Sequence, residues 1–197
     1  LITYLATKNA GKLGEIRNML AGSAIDLRTY DAYADPEEGE ESYVGNALLK
    51  ARALREQLLA SGIAAAVLAD DSGIELDALG GGPGVLSARY AGESTPWPKR
   101  LETMMNEVRG VPVSERGARF VCVMAFISAD GRELVVEGNV RGQITTELHG
   151  THGFGYDPIF FYPPIGKTFG EIPEEEKNRL SHRGAAARAL LGALAAQ

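Results

Sequence analysis

At 197 residues, with 45% hydrophobic and 23% charged side chains, the chain has the make-up of an ordinary globular domain long enough for a substantial core. Its net charge of −6 argues against a protein that wraps nucleic acid or lies on an anionic membrane, so a phosphorylated ligand would need a local basic pocket or a metal. The single Cys122 cannot form an internal disulfide, and neither a signal-peptide pattern nor an apolar run of spanning length is read; one domain over 1–197 in a reducing, cytoplasmic setting is expected.

The opening Leu1-Ile2-Thr3-Tyr4-Leu5-Ala6 reads as a strand that breaks at Thr7-Lys8-Asn9-Ala10-Gly11-Lys12. A helix then runs to about Leu20, with Leu13, Ile16 and Leu20 at helical spacing. Strand, polar turn and helix start form an anion site, because free backbone N–H groups and the helix dipole face the turn. A P-loop is excluded: Ala6 occupies the first glycine position, and Leu13 stands where a metal-binding Ser or Thr is required. The alternatives left open are another kind of phosphate turn and an ordinary capped helix with a surface lysine. Lys12 and Glu15 share one flank of this helix.

Ile25 to Tyr30 alternates like a strand, and the acidic run containing Glu37, Glu38, Glu40 and Glu41 reads as a solvated loop able to lend a carboxylate to a metal. The spacing of Ala47, Ala51, Leu54 and Leu58 predicts a helix over 46–60, with Lys50 on the edge of its apolar stripe, placed to snorkel or to reach into a site. Ile63-Ala64-Ala65-Ala66-Val67 reads as a buried strand with Asp70-Asp71 at its end. Two carboxylates there raise each other's pKa, a conflict that a hard divalent cation between them would remove. The alternative is that Asp70-Asp71-Ser72-Gly73 is only a turn.

Ile74 to Ala78 alternates as a second short strand, and Gly80 to Gly84 reads as a loop. Thr95 and Pro96 mark the start of a helix to about Val108, with Leu101, Met104, Met105 and Val108 as core positions. Ala118–Ser128 and Glu133–Thr145 read as a hairpin around Asp130-Gly131, a dipeptide suited to a type I′ turn. Its first strand is apolar on both faces, hence central. In Gly153-Phe154-Gly155-Tyr156-Asp157, glycines on both sides of Phe154 leave an aromatic face for stacking, or the run is a turn with an aromatic plug. Glu174-Glu175-Glu176-Lys177 begins a short helix, and Ser181 can cap a last helix whose first turn carries His182 and Arg183.

The ordered set of motifs resembles the inosine/xanthosine triphosphate pyrophosphatases. It comprises Thr7 to Lys12 with Glu15, Asn46-Ala47 with Lys50-Ala51, Ala69-Asp70-Asp71-Ser72-Gly73, and Pro83-Gly84 with Ser87-Ala88-Arg89-Tyr90. Gly153 to Pro158, and Glu176-Lys177 with Ser181-His182-Arg183-Gly184, complete it. The resemblance implies an α/β fold, a long curved mixed β-sheet flanked by helices, with two lobes and the active site in the cleft between them. It also implies a homodimer and Mg²⁺-dependent hydrolysis of non-standard purine nucleoside triphosphates (ITP, dITP, XTP) to the monophosphate and pyrophosphate, without a nucleic-acid or membrane partner.

Carried onto this sequence, the resemblance implies that Thr7, Lys8, Asn9, Ala10, Gly11 and Lys12 hold phosphates, with Lys12 the main cation and Lys50 a further contact. Asp71 binds the metal and takes the proton of the attacking water, Asp70 supports it, and Ser72 touches substrate. Glu38 is the second metal carboxylate, with Glu41 the alternative. Phe154, Gly155, Tyr156, Asp157, Lys177, His182 and Arg183 form the base pocket, with Phe154 on the purine and the last three favouring a 6-oxo group. Two stretches depart from the family pattern: Gly45 replaces a usual Glu, and Pro96-Trp97-Pro98-Lys99-Arg100 replaces a more polar helix start. The competing readings are a nucleotide-binding module without hydrolysis and a related pyrophosphatase acting on modified pyrimidine nucleotides.

Overall fold

The computed structural model describes residues 1–39 and 41–196, so Glu40 of the acidic run lies outside the described residues. The architecture is the expected α/β one: among the described residues, eight strands form a mixed sheet in the order β2-β1-β3-β5-β6-β7-β8, with β4 paired to β3, and five α-helices flank it. The chain divides into two compact units, Leu1–Asp71 with Cys122–Gly138 and Arg183–Gln197, and Ser72–Val121 with Asn139–His182.

In the first unit, β1 (Ile2–Ala6) lies parallel to β2 (Asp26–Arg28) and to β3 (Ala66–Leu76), with Ala6 opposite Ala69. Parallel neighbours need crossover helices, which are α1 (Ala10–Leu20) and α2 (Tyr43–Ala60). Side chains of a strand alternate between faces, and the packing follows that rule. Leu68 of β3 and Cys122, Met124 and Phe126 of β5 (Gly117–Ile127) pack with Ile16 and Leu20 of α1 and with Ala186, Ala187 and Leu190 of α5 (His182–Ala195). Val67, Ala69, Val123 and Ala125 pack instead with Ala47, Ala51, Leu54 and Leu58 of α2. The expectation that β5 is central and buried on both faces is met.

The second unit contains β4 (Pro83–Gly84), α3 (Trp97–Val108), β7 (Phe160–Tyr162), β8 (Lys167–Thr168) and α4 (Glu174–Leu180), with part of β6 (Glu133–Ile144). Here the recorded pairings are antiparallel: Ile74 opposite Gly84, Gln143 opposite Phe161 and Phe161 opposite Thr168. The core joins Leu101, Met104, Met105 and Val108 of α3 to Phe120, Ile159, Phe160 and Phe169.

Four local expectations change. The two short strands around Asp70-Asp71 are one, β3, which runs through Asp70-Asp71-Ser72-Gly73 without a turn. The helix predicted from Asn46 begins at Tyr43, because the Ser42 side chain accepts from the Gly45 N–H at 3.1 Å and caps it. Pro96, not Thr95, is the cap residue of α3, and the Thr95 hydroxyl donates to the Ala91 carbonyl at 2.6 Å. The hairpin turn is not type I′, which needs positive φ at both central residues. Gly131 has φ 91° but Asp130 does not share it, and Ser128 N–H to Arg132 O together with Gly131 N–H to Ser128 O, both 2.9 Å, define a three-residue loop.

Candidate active site

Adjacent residues on a strand point to opposite faces, and that fact organises the first cluster. Asp70 shares the Leu68 face, where Lys12 Nζ of α1 lies 3.0 Å and Arg183 Nε of α5 3.5 Å from its Oδ2. The Cys122 thiol approaches the same oxygen at 4.0 Å. Arg183 also donates to Glu15 of α1. Asp71 shares the Ala69 face and meets α2: Lys50 Nζ donates to its Oδ1 at 2.9 Å and Asn46 Nδ2 to its Oδ2 at 3.4 Å. Lys50 Nζ reaches Glu38 Oε1 at 3.0 Å as well. The two aspartates therefore contact different ammonium groups. Each has its own lysine, from its own helix.

Their electrostatics differ accordingly. Burial alone would raise the Asp70 carboxyl, but Lys12, Arg183 and Lys50 overcome it and hold the group well below the usual carboxylate range. For Asp71 burial wins: despite Lys50 and Lys12, and with Glu38 pushing the same way, its pKa lies above the ordinary value. Burial would lower the Lys50 ammonium, yet Asp71, Asp70 and Glu38 push it up to about 12. Asp70 is thus a fixed anion, Lys50 a fixed cation and Asp71 the more basic carboxylate of the pair.

The turn before α1 is ordered by side-chain caps. Asn9 caps the helix by accepting from the Lys12 N–H at 3.1 Å, the Asn9 N–H donates to Thr7 Oγ1 at 3.2 Å, and Lys8, Asn9 and Ala10 are exposed. Gly11 is half-buried in the first turn. Among the described residues no group of three or more metal-ligating side chains is found. One carboxylate oxygen each of Asp71 and Glu38 converges on Lys50 Nζ, at 2.9 and 3.0 Å. Glu38 of the acidic loop thus meets Asp71's partner Lys50, while Glu41 is exposed.

The second cluster lies in the other unit. Asp157 Oδ2 accepts from the Phe154 N–H at 2.8 Å and from the Lys177 ammonium, and Lys177 Nζ stands 4.7 Å from the centre of the Phe154 ring. Asp157 and Lys177 are buried, while Phe154 is half-buried. Tyr156 is buried and donates from its hydroxyl to the Ser87 carbonyl at 2.7 Å. His182 stacks on Phe120, ring centres 4.6 Å apart and planes 13° from parallel. Ser72 is half-buried on β3, next to Asp71.

Of the residues predicted from sequence, Lys12, Lys50, Glu38, Asp70, Asp71 and Arg183 thus gather in the first unit, and Phe154 to Asp157, Lys177 and His182 in the second. Asn46 and Glu15 fall in the quoted motifs, but no role is read for them from sequence. Asn46 sits four residues before Lys50, one helical turn away on the same face, and that spacing was the available signal. Nothing local predicts that Glu15 would hold Arg183, or that Phe120 would stack on His182.

Fold and clusters describe a mixed-sheet α/β protein that carries a lysine–carboxylate cluster on its parallel strands and an aromatic–lysine loop. Residues 3–193 match the Ham1 family, and the chain belongs to it. A dITP/XTP pyrophosphatase of Escherichia coli is 43% identical over 194 residues, 96% of each chain. One of Halalkalibacterium halodurans is 43% identical over 182 residues, 91% of each. Among solved structures, a HAM1 protein from Coxiella burnetii is 35% identical and superposes with a TM-score of 0.87 over the whole of both chains.

Proposed function

We propose that this protein is a Mg²⁺-dependent pyrophosphatase that hydrolyses non-standard purine nucleoside triphosphates (ITP, dITP, XTP) to the monophosphate and inorganic pyrophosphate. The observation that carries the reading is the separation of Asp70 from Asp71, each with its own lysine and with opposite shifts in acidity. A pure binding module has no need of a carboxylate kept basic by burial.

In this reading Asp71 accepts the proton of the attacking water, whose oxygen bonds to the α-phosphorus as pyrophosphate leaves. Burial of Asp71 favours that proton transfer. Asp70 fixes Lys12, and Lys12 with the Thr7–Gly11 turn and Lys50 balances phosphate charge. When bound by Asp71 and Glu38, Mg²⁺ supplies additional positive charge against the phosphate oxygens. Asn46 orients Asp71, and Ser72 adds a substrate contact.

For the base, we assign Phe154 to stacking, with Gly155, Tyr156 and Asp157 shaping the loop. Lys177, His182 and Arg183 supply donors for a 6-oxo group; Glu15 and Asp70 orient the Arg183 guanidinium. Lysine and arginine only donate. An adenine amino group facing them leaves donors unpaired, at about 1–3 kcal/mol for each buried group. We further propose a cytoplasmic homodimer without nucleic-acid or membrane partners. The net charge of −6 disfavours a nucleic-acid or anionic-membrane partner, and among the described residues no helix is long and apolar enough to cross a membrane.

The test is a panel of ITP, dITP, XTP, GTP, ATP and UTP with Mg²⁺ and with EDTA. The reading expects turnover of the first three, weak turnover of ATP and UTP, and complete loss with EDTA. Binding of ITP without turnover would establish the binding-module alternative instead.

A further inference from the structure

Trp97 departs from the polar helix start expected of the family, and it is the only tryptophan in the chain. It opens α3 and extends the apolar stripe of Leu101, Met104 and Met105 beyond the core, remaining 39% exposed. Its ring meets Tyr156 edge-to-face, centres 5.2 Å apart and planes at 83°. It also lies against the Gly155 backbone, so that a Cβ on Gly155 would sit 3.4 Å from Trp97 Cη2. Behind it stands the buried Arg100, its guanidinium 4.7 Å from the Trp97 ring centre. Arg100 is fixed in turn by donating to the carbonyls of Tyr90, Gly92 and Thr95 at 2.8–3.1 Å.

The loop that Trp97 touches depends on two glycines. Gly153 and Gly155 flank Phe154 with φ of 72° and 63°, and glycine has more backbone freedom to lose than any other residue. On the Gly153 side the loop is tied through the Phe154 N–H to Asp157 and through Lys177. On the Gly155 side Tyr156 donates to the Ser87 carbonyl, and Trp97 packs on both Gly155 and Tyr156.

We propose that Trp97 is a positioning residue for purine recognition: by packing on Gly155 and Tyr156 it holds the Phe154 loop in the conformation that stacks on the base. The inference rests on the assignment of Phe154 to base stacking made above. Affinity for a ligand falls with the fraction of molecules in the competent conformation. An edge-to-face aromatic pair is strong enough to change that fraction by about three- to tenfold. The effect belongs to the base and not to the phosphates, so it falls on the Michaelis constant of base-bearing substrates and leaves kcat in place.

The experiment compares the unaltered protein with Trp97→Ala and Trp97→Phe, using ITP as substrate and inorganic triphosphate as a base-free inhibitor. Trp97→Ala is expected to raise the ITP KM about three- to tenfold, keep kcat within about twofold and leave inhibition by inorganic triphosphate unchanged. Trp97→Phe is expected to restore most of the KM. In the unaltered protein, IMP at concentrations that inhibit turnover is expected to change the tryptophan emission, and inorganic triphosphate is not. An unchanged KM in Trp97→Ala, an equal weakening of inorganic triphosphate, or an emission blind to IMP overturns the proposal. Should Trp97→Ala fail to fold, Trp97→Phe and the emission measurement decide. Failure of the unaltered protein to turn over any purine triphosphate refutes the functional reading, a result separable from all of these.

Discussion

Replacing Asp70 by Asn removes a buried anion that Lys12 and Arg183 share, at 3.0 and 3.5 Å. Removing one partner of a buried ion pair typically costs about 3–5 kcal/mol, because the remaining charge is left uncompensated. Two features set the expectation at the lower end: Arg183 keeps Glu15, and the Lys12 side chain is 17% exposed and can recruit water. A loss of about 3 kcal/mol in a chain of this length lowers Tm by roughly 6–12 °C. The assay is thermal unfolding of both proteins across pH. The Asp70 carboxyl is more acidic folded than unfolded, so its stabilisation is complete above the unfolded-state pKa of about 4 and lost as pH falls below it. The gap between the two proteins should therefore be full at pH 7 and shrink below about pH 4. Equal Tm values at pH 7, or a gap that persists unchanged into acid, would refute the ion-pair account.

Three further outcomes follow from the geometry. Burial, with Asp70 adding to it, pushes the Cys122 thiol up to about 12, so the folded protein should resist iodoacetamide at pH 8 and label readily in urea; labelling of the folded protein at the rate of a free thiol would contradict the packing. Gly153→Ala places a Cβ 2.1 Å from Asp157 Oδ2 at a φ of 72°, and should raise the ITP KM about tenfold while inorganic triphosphate still inhibits normally. Asp71→Asn should lower turnover by a factor on the order of 10²–10⁴ with ITP still bound, measured by single-turnover kinetics and equilibrium binding; a near-normal rate would remove Asp71 from catalysis.

What the sequence could and could not show divides along physical lines. Helical spacing and apolar runs identify α1, α3 and the buried β5 because those signals are local. Asp70-Asp71-Ser72-Gly73 has turn composition, yet it lies inside the continuous strand β3, which stands beside β5 in the sheet; tertiary pairing overrides propensity. Once β3 is known to be continuous, the alternation of its side chains separates Asp70 from Asp71, which the string of residues alone leaves ambiguous. Glu15 and Arg183 are 168 residues apart, and no local pattern pairs them. Trp97 is visible in the sequence only as a departure at a helix start; its contact with the Phe154 loop is tertiary. The Gly45 substitution has a legible local consequence, since it stands where a Glu would complete a capping box with Ser42.

In the proposed function the lysine–carboxylate cluster serves cleavage between the α- and β-phosphates of a purine triphosphate. The most direct test is phosphorus NMR of the products formed from ITP with Mg²⁺. IMP and inorganic pyrophosphate in equal amounts are the predicted result, while IDP and orthophosphate would contradict it.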